Sequence, residues 1–181
     1  ADDEKLEKAR GRTLGKSKVA ISVRAWSHFK GRTNDEGMAA YRASIAACAE
    51  YLVSLGYQVT FVSTCQGVPE YWTNDALTAY EIYEELSEDA KSSVEVDEGF
   101  HPPILLQEMF AGFDFVIATR MHVAILALTA GTPVFPIAYE FKTKELFERL
   151  GISKFTQDID TMAPDSAVST MQEFLETVDT W

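Results

Sequence analysis

The sequence predicts an α/β protein built on a doubly wound, mostly parallel β-sheet. Short apolar runs alternate with longer segments of helical periodicity from residue 18 onward. Such alternation is typical of a parallel sheet that is covered by helices on both faces. The chain has 181 residues, 46% of them hydrophobic and 24% charged, which is the size and composition of one globular domain. We expect the strand order 3-2-1-4-5-6.

Six strands are predicted from apolar runs that are bounded by turn residues. They are residues 18–23, 57–63, 93–96, 114–118 and 133–137, with a short sixth strand near Phe155. Residues 1–17 are charged, contain glycine and show no strand pattern. We therefore predict a linker over residues 1–17 and a single domain over residues 18–181.

Six helices are predicted between and after these strands. Four of them run over residues 38–55, 120–130, 142–150 and 165–178. Of the other two, one starts at Asn74 or Asp75 and ends near residue 89, and one starts at Pro102 or Pro103 and ends at residue 110. The helix over 120–130 is apolar nearly all round, so it is predicted to be buried. Asp165 is predicted to cap the last helix, whose apolar residues fall on one face.

Charge and cysteine content exclude several functions. The net charge is −12, from 16 basic and 28 acidic residues, so the chain is a poor general binder of nucleic acid or anionic membrane. No run approaches 18 apolar residues, so no transmembrane segment is predicted. Cys48 and Cys65 are too few for a disulfide framework. We expect two thiols in a reducing cytoplasm.

Arg120 is the only basic residue between Lys91 and Lys142, and it stands between two apolar runs. A guanidinium in such a place needs a partner, and the sequence leaves two: a structural salt bridge to a nearby carboxylate, or an anionic ligand. The acidic stretch from Asp75 to Glu98 is predicted to be a solvated helix face and its loop.

Three side chains are predicted to meet in one crevice. Ligands of a doubly wound sheet bind at the carboxyl ends of the strands, where the winding direction reverses. Arg24 ends the first strand, and Arg120 and His122 follow the fourth. Arginine suits carboxylate and phosphate groups, and His122 can donate a proton, with a pKa that a bound phosphate should raise. The alternative for His122 is a core histidine bonded to a carbonyl.

Other polar residues follow neighbouring strands. Tyr139 and Lys142 come after the fifth strand and should face the same crevice, although Lys142 also suits a solvated helix start. Gln66 follows the second strand and is predicted at the rim. The sequence does not decide whether His28 belongs to the site or faces solvent. His101 is predicted to be a loop residue.

Common cofactor and catalytic motifs are missing from the sequence. There is no G-x-G-x-x-G after the first strand, no G-x-x-x-x-G-K-[ST] and no G-x-S-x-G, so the standard dinucleotide, P-loop and nucleophile-elbow interpretations fail. No His, Asp or Glu cluster has metal-ligand spacing. We expect no metal and no cofactor.

The segment around Arg120 resembles a known signature. Residues 118–134, with Arg120, His122, Gly131 and Pro133 in place, resemble the pattern G-x-R-x-H-x-x-x-x-A-x-x-x-G-x-P-V of the polysaccharide pyruvyl transferase family, although Ala118 stands where the family often has Gly. The resemblance continues through I-x-Y-x-x-K at residues 137–142 and L-G-[LI] at residues 150–152, and upstream at residues 20–24 and 64–67.

The resemblance implies a Rossmann-like C-terminal half of a two-domain GT-B-like fold. The missing N-terminal domain would precede the chain, and residues 1–17 would be a linker remnant. The implied activity transfers a pyruvyl group from phosphoenolpyruvate to a sugar residue of a surface polysaccharide as a ketal. Arg24 and Arg120 match the anion clamp, His122 holds phosphate or delivers a proton, and Gln66, Tyr139 and Lys142 complete the substrate site.

The resemblance also bears on partners. In intact GT-B proteins the last helix packs back on the first domain, so here its apolar face is expected to form an exposed patch that favours a homodimer. The general base for the glycan acceptor would belong to the missing domain. Two alternatives stay open: a glycosyltransferase half that binds a nucleotide sugar, with Glu140 on the ribose hydroxyls, and an interaction domain that has lost its chemistry.

Overall fold

The core of the fold is a six-stranded parallel sheet. The computed structural model describes residues 17–63, 69–99 and 101–178. The strands are β1 (Lys18–Ser22), β2 (Gln58–Val62), β3 (Val94–Asp97), β4 (Phe115–Ala118), β5 (Val134–Ala138) and β6 (Gln157–Asp158). Their order is β3-β2-β1-β4-β5-β6, and every neighbouring pair is parallel. The predicted fold class and strand order are confirmed.

Seven α-helices connect and follow the strands in the described residues. They are α1 (Asn34–Ser54), α2 (Pro69–Glu84), α3 (Glu88–Lys91), α4 (Pro103–Ala111), α5 (Met121–Thr129), α6 (Phe141–Arg149) and α7 (Pro164–Thr177). A 3₁₀ turn over Ser153–Phe155 precedes β6, so the sixth strand starts two residues after Phe155. No helix of the described chain combines the length and the apolar character that crossing a bilayer requires.

The central strands are buried on both faces because each strand feeds two separate cores. In β1, Val19 and Ile21 belong to one hydrophobic cluster and Ala20 belongs to the other. In β4, Phe115 and Ile117 alternate with Val116 in the same way. This period of two, within runs that are apolar throughout, is the pattern of a parallel sheet between helical layers.

The last helix packs within this domain. The buried residues of α7, Ala167, Met171 and Phe174, join the cluster that also contains the inner face of α1. The Phe174 ring makes edge-on contacts with Phe115 and with two further phenylalanine rings. The expectation that this face forms an exposed patch is wrong for the described residues, because the face has the neighbouring helix to bury against.

Several predicted helix bounds are corrected. α1 begins at Asn34, four residues early, because Thr33 Oγ1 accepts a hydrogen bond from the backbone N–H of Glu36 at 3.1 Å. α2 begins at Pro69, so Asp75 lies inside the helix and is no cap. α2 ends at Glu84, and Ser87 caps the separate α3.

Two further expectations about helices fail. α7 has no side-chain hydrogen bond at its N-cap, so Asp165 lies in its first turn instead of capping it. α5 is buried only in part: Met121 and Ile125 are exposed, whereas Val123, Ala124 and Ala127 are buried. The apolar composition of α5 therefore overstates its burial.

Candidate active site

The carboxyl ends of β1, β4 and β5 form one edge of the sheet, and several of the predicted site residues lie there. β1 and β4 are neighbours, and their register pairs Ser22 with Ala118. Arg24 follows β1 by two residues, Arg120 follows β4 by two, and Tyr139 directly follows β5. These ends are adjacent in a parallel sheet, Arg24 contacts Tyr139 there, and both arginines lie close enough to His122 to act on its charge.

Arg24 lies against two aromatic rings that also contact each other. Its guanidinium carbon lies 5.0 Å from the centre of the Trp26 ring and 4.5 Å from the centre of the Tyr139 ring. The two rings are themselves 4.8 Å apart, and Arg24 Nε donates to the backbone oxygen of Ala25 at 3.2 Å. Stacking on aromatic faces stabilises a guanidinium and restricts its motion, so the Arg24 head group is positioned before any ligand arrives.

Arg120 forms a buried, two-pronged ion pair with Asp75. Its Nε donates to Oδ2 and its Nη2 donates to Oδ1, both at 2.7 Å. The Asp75 side chain is only 1% exposed. Burial lowers the pKa of Arg120, but the hydrogen bond and charge of Asp75 outweigh burial, so the pKa lies above its ordinary value. Of the two partners left open for Arg120, the structure shows the carboxylate, and the prediction that Asp75 belongs to a solvated face is wrong.

His122 is a neutral imidazole in the first turn of α5. Burial, followed by the charges of Arg120 and Arg24, lowers its pKa to about 4. Its Nε2 is buried and has no hydrogen-bond partner among the described residues, so within them the carbonyl-bonded alternative fails for that atom. The rise in pKa that we expect stays a prediction for a complex with a bound anion, whereas in this structure burial and the two arginines keep the ring uncharged.

Buried polar atoms without a partner gather at the same edge. Among the described residues they are Ser22 Oγ, Trp26 Nε1, His122 Nε2 and Thr143 Oγ1. Ser22 and Trp26 belong to the end of β1 and its loop, His122 follows β4, and Thr143 lies in the first turn of α6 after β5. Buried polar groups are nearly always paired, and the described residues supply no partner for these four atoms, so this edge is suited to a polar ligand.

Sequence comparison identifies the family. The sequence pattern of the polysaccharide pyruvyl transferase family matches residues 30–140, which is more than half of the chain. The chain belongs to the polysaccharide pyruvyl transferase family. The matched segment contains Asp75, Arg120, His122 and Tyr139, whereas Arg24 and Lys142 lie just outside it.

A curated relative and two solved structures extend this finding. The amylovoran biosynthesis protein AmsJ of Erwinia amylovora is 29% identical over 161 residues, which cover 87% of this chain but 37% of AmsJ. The chain thus spans little more than a third of that relative's length. ADP-heptose LPS heptosyltransferase II of E. coli superposes with a TM-score of 0.59 at 10% identity, covering 96% of this chain and 53% of that one.

The second solved structure, a UDP-forming trehalose-phosphate synthase from Burkholderia xenovorans, has a TM-score of 0.54 at 12% identity and covers 97% of this chain and 39% of its own. At such identities the likeness shows the fold alone. This pyruvyl transferase family member thus has the Rossmann-like, doubly wound sheet of a GT-B-like fold.

The remaining predicted residues take different places. Lys142 is exposed in the first turn of α6, and Gln66 lies outside the described residues. His28 is exposed and sets its ring edge-on to Trp26, with the ring centres 5.3 Å apart. His101 stays a loop residue, and its Nε2 lies 2.9 Å from a carboxylate oxygen of Asp97. In the described part of the chain no three His, Cys, Asp or Glu side chains are placed to hold a metal ion.

Two site residues of this family member were missed in the sequence. Asp75 is one of many acids in its stretch, and nothing in the local pattern separates a buried aspartate from its solvated neighbours. Trp26 stands two residues after Arg24 and had a usable signal, because an aromatic residue next to a functional arginine is suited to stacking.

Proposed function

We propose that this chain forms the donor-binding part of an enzyme that transfers a pyruvyl group from phosphoenolpyruvate to a sugar residue of a surface polysaccharide as a ketal. Family membership and the polysaccharide-biosynthesis relative support a polysaccharide-modifying transferase. The donor and the ketal product are the part that we add. Because the chain spans 37% of AmsJ, the activity is proposed for the whole protein.

The observation that carries the proposal is the unpartnered His122 Nε2 within electrostatic range of two arginines. Phosphoenolpyruvate has two anionic ends, a carboxylate and a phosphate, and needs a cationic group for each. Arg24 and Arg120 are both pre-positioned, one by aromatic rings and one by Asp75. Fixed charges that are aimed at a ligand before it binds cost no reorganisation during the reaction.

The proposed reaction consists of protonation of the donor, addition of one sugar hydroxyl and displacement of phosphate by the second. The methylene carbon of the donor takes a proton, which leaves positive charge on C2. One sugar hydroxyl oxygen bonds to C2 and loses its proton. The second hydroxyl then bonds to C2 as the bond from C2 to the phosphate oxygen breaks, and its proton is lost. Inorganic phosphate leaves, and C2 holds a methyl group, the carboxylate and two sugar oxygens.

Each site residue has a role in this scheme. Arg24 and Arg120 bind the carboxylate and the phosphate and stabilise the charge that develops on the leaving phosphate. His122 either holds the phosphate or delivers the proton, since a charged imidazole can do both. Tyr139 holds Arg24, and Lys142 and Gln66 belong to the substrate site. We assign the acceptor's general base to a part of the protein outside this chain.

A nucleotide-sugar glycosyltransferase is the second candidate, because the solved structures with this fold include UDP- and ADP-sugar enzymes by their names. The N-cap residue of α6, Glu140, is exposed and has the acidic group that would bind ribose hydroxyls. The cationic edge also suits a diphosphate. The two candidates therefore differ in donor, and the donor is what an experiment has to identify.

Turnover by the intact protein tests the proposal. We expect release of inorganic phosphate from phosphoenolpyruvate that depends on an added glycan acceptor, with a new ketal methyl signal in the NMR spectrum of that glycan. Arg24→Gln should abolish both signals. Arg149→Gln is the matched control, because this arginine is exposed at the end of α6 and, within the described residues, its ion pair is to Glu145 of the same helix. Transfer of a sugar from a nucleotide donor, without phosphate release from phosphoenolpyruvate, would overturn the proposal.

A further inference from the structure

We propose that Asp75 is a positioning residue, which holds the Arg120 guanidinium in the orientation in which that side chain meets the anionic group of the donor. The inference deepens the proposed function and rests on it for the identity of the donor. Its geometry does not depend on that identity, because any carboxylate or phosphate would meet the same guanidinium.

The contact between Asp75 and Arg120 fixes orientation as well as distance. Two parallel hydrogen bonds, from Nε to Oδ2 and from Nη2 to Oδ1, join the planar groups at 2.7 Å each. A single bond would leave the guanidinium able to rotate about the contact, whereas a two-pronged pair sets both its plane and its outward edge. Asp75 thereby decides which way the Arg120 head group faces.

The pair is expected to persist when a ligand binds. Asp75 is 1% exposed, and Arg120 is also buried. Separating the two would leave a carboxylate in the interior without its counter-charge, which is strongly unfavourable. An incoming anion therefore meets Arg120 with its Asp75 contact in place, and the orientation seen here is the orientation in which Arg120 acts.

The pair also ties two distant elements to one another. Asp75 lies on α2, and Arg120 is the N-cap residue of α5, 45 positions along the chain. The residue before Arg120 is anchored as well, because the hydroxyls of Thr119 and Tyr41 are hydrogen-bonded at 2.6 Å. Arg120 is thus held at its backbone by the β4 end and at its head by α2.

The role of Asp75 at the site is explained better by the orientation of Arg120 than by ligand attraction or by protein stability. A carboxylate beside an anion site weakens the attraction for the ligand, so it does not contribute through charge. A buried ion pair also contributes little net stability compared with apolar packing. What Asp75 supplies, and an apolar residue would not, is a fixed direction for the guanidinium.

Two variants separate orientation from charge, with inorganic phosphate as the probe and the intact protein as the sample. Asp75→Asn removes the charge, and Asp75→Glu keeps it but moves the carboxylate by one methylene. We expect both to bind phosphate at least about tenfold more weakly than wild type, because a displacement of about 1 Å in a positioned group can cost 10²-fold. Glu81→Gln is the matched control, since it removes an exposed ion pair from the same helix.

The NMR titration of His122 gives a readout that a purely structural role would not move. Asp75→Asn leaves the Arg120 charge without its counter-charge, so the pKa of His122 should fall further, whereas in Asp75→Glu it should stay close to the wild-type value. The wild-type protein supplies a check that needs no variant. The Nε–H signal of Arg120 should be protected from solvent and should persist, with a shift, when phosphate is added.

The opposing results are equally definite. The inference is overturned if both variants bind phosphate with wild-type affinity, or if Asp75→Asn binds it more tightly. It is also overturned if the wild-type protein does not bind phosphate, or if the Arg120 Nε–H signal is lost when phosphate is added. Asp75-dependent phosphate binding without turnover of phosphoenolpyruvate would leave the inference standing and the proposed function wrong. Turnover of phosphoenolpyruvate with wild-type kcat/KM in both variants would support the proposed function and refute the positioning role of Asp75.

Discussion

Binding of the donor is predicted to place a proton on His122. Burial and the two arginines lower the pKa of His122 to about 4 in the ligand-free protein, so about 1% of the molecules carry the imidazolium at pH 6. A bound anion offsets the charge of the arginines and offers an acceptor to Nε2, and both effects favour the charged ring. The pKa of His122 is therefore higher in the complex, and affinity for the anion should rise as the pH falls.

The size of the effect follows from the two states. If the anion restores the ordinary histidine pKa of about 6.5, about three-quarters of His122 is protonated at pH 6 and about a quarter at pH 7. Relative to the ligand-free protein, this is an uptake of about 0.7 proton per donor bound at pH 6 and about 0.2 at pH 7.

Calorimetry measures this uptake directly. Phosphoenolpyruvate is titrated into the intact protein at pH 6 in two buffers with different ionisation enthalpies, and the difference in heat gives the proton count. His122→Asn is the reference, because the phosphate group of the donor also titrates near pH 6 and its own contribution appears in both proteins. Equal proton counts in wild type and His122→Asn would refute the reasoning, since His122 would then not face the bound anion.

Three further predictions concern the neighbours of the site. Arg120→Met should lower the free energy of unfolding by about 3–5 kcal/mol, because it takes the Arg120 counter-charge away from the buried Asp75 carboxylate, and urea denaturation should show most of that loss recovered when Asp75→Asn is added. Trp26→Leu should weaken donor binding by about 1 kcal/mol through loss of the cation–π contact with Arg24, with Trp26→Phe close to wild type in the same titration. Cys48 is buried, which raises its pKa to about 12, so peptide mapping should find it unalkylated by iodoacetamide at pH 8 until the protein is denatured; alkylation of the native protein would contradict its burial.

The sheet was predictable because its signals are local. Each strand is a short apolar run, and a run buried on both sides, such as Phe115–Ala118, indicates a parallel sheet without further information. The strand order and the switch point followed from that pattern, and with them the meeting of Arg24, Arg120 and Tyr139. Residues that directly follow strands inherit their position from the sheet, so their placement needs no knowledge of side-chain contacts.

The partner of Arg120 was not predictable in the same way. Asp75 reaches it across 45 residues and from a helix whose start was misplaced. Pro69 is suited to the first turn of a helix, whereas the sequence pattern predicts a later start for this helix, at Asn74 or Asp75. Whether an aspartate is buried depends on how its helix packs in the tertiary structure, and the local sequence pattern does not contain that information.

The ionisation of His122 needed the structure as well. The sequence places a histidine two residues after an arginine, and that spacing is compatible with a charged or a neutral ring. Only the burial of the ring and the approach of Arg24 from another strand establish that it is neutral without ligand. The role that the sequence suggests for His122, as phosphate binder or proton donor, therefore stays a prediction, and it requires one more proton on the ring than this structure favours.

A titration of the intact protein with phosphoenolpyruvate, beside a uridine-diphosphate sugar, tests the central claim most directly. Arg24→Gln is the informative variant, because Arg120→Ala would also remove the counter-charge of the buried Asp75 carboxylate. We predict that wild type and Arg149→Gln bind phosphoenolpyruvate alike, and that Arg24→Gln binds it at least about tenfold more weakly, the loss expected for a charge-assisted hydrogen bond of about 1.5–3 kcal/mol. Binding of the nucleotide sugar in place of phosphoenolpyruvate, or equal affinity of Arg24→Gln and wild type for phosphoenolpyruvate, would contradict the account.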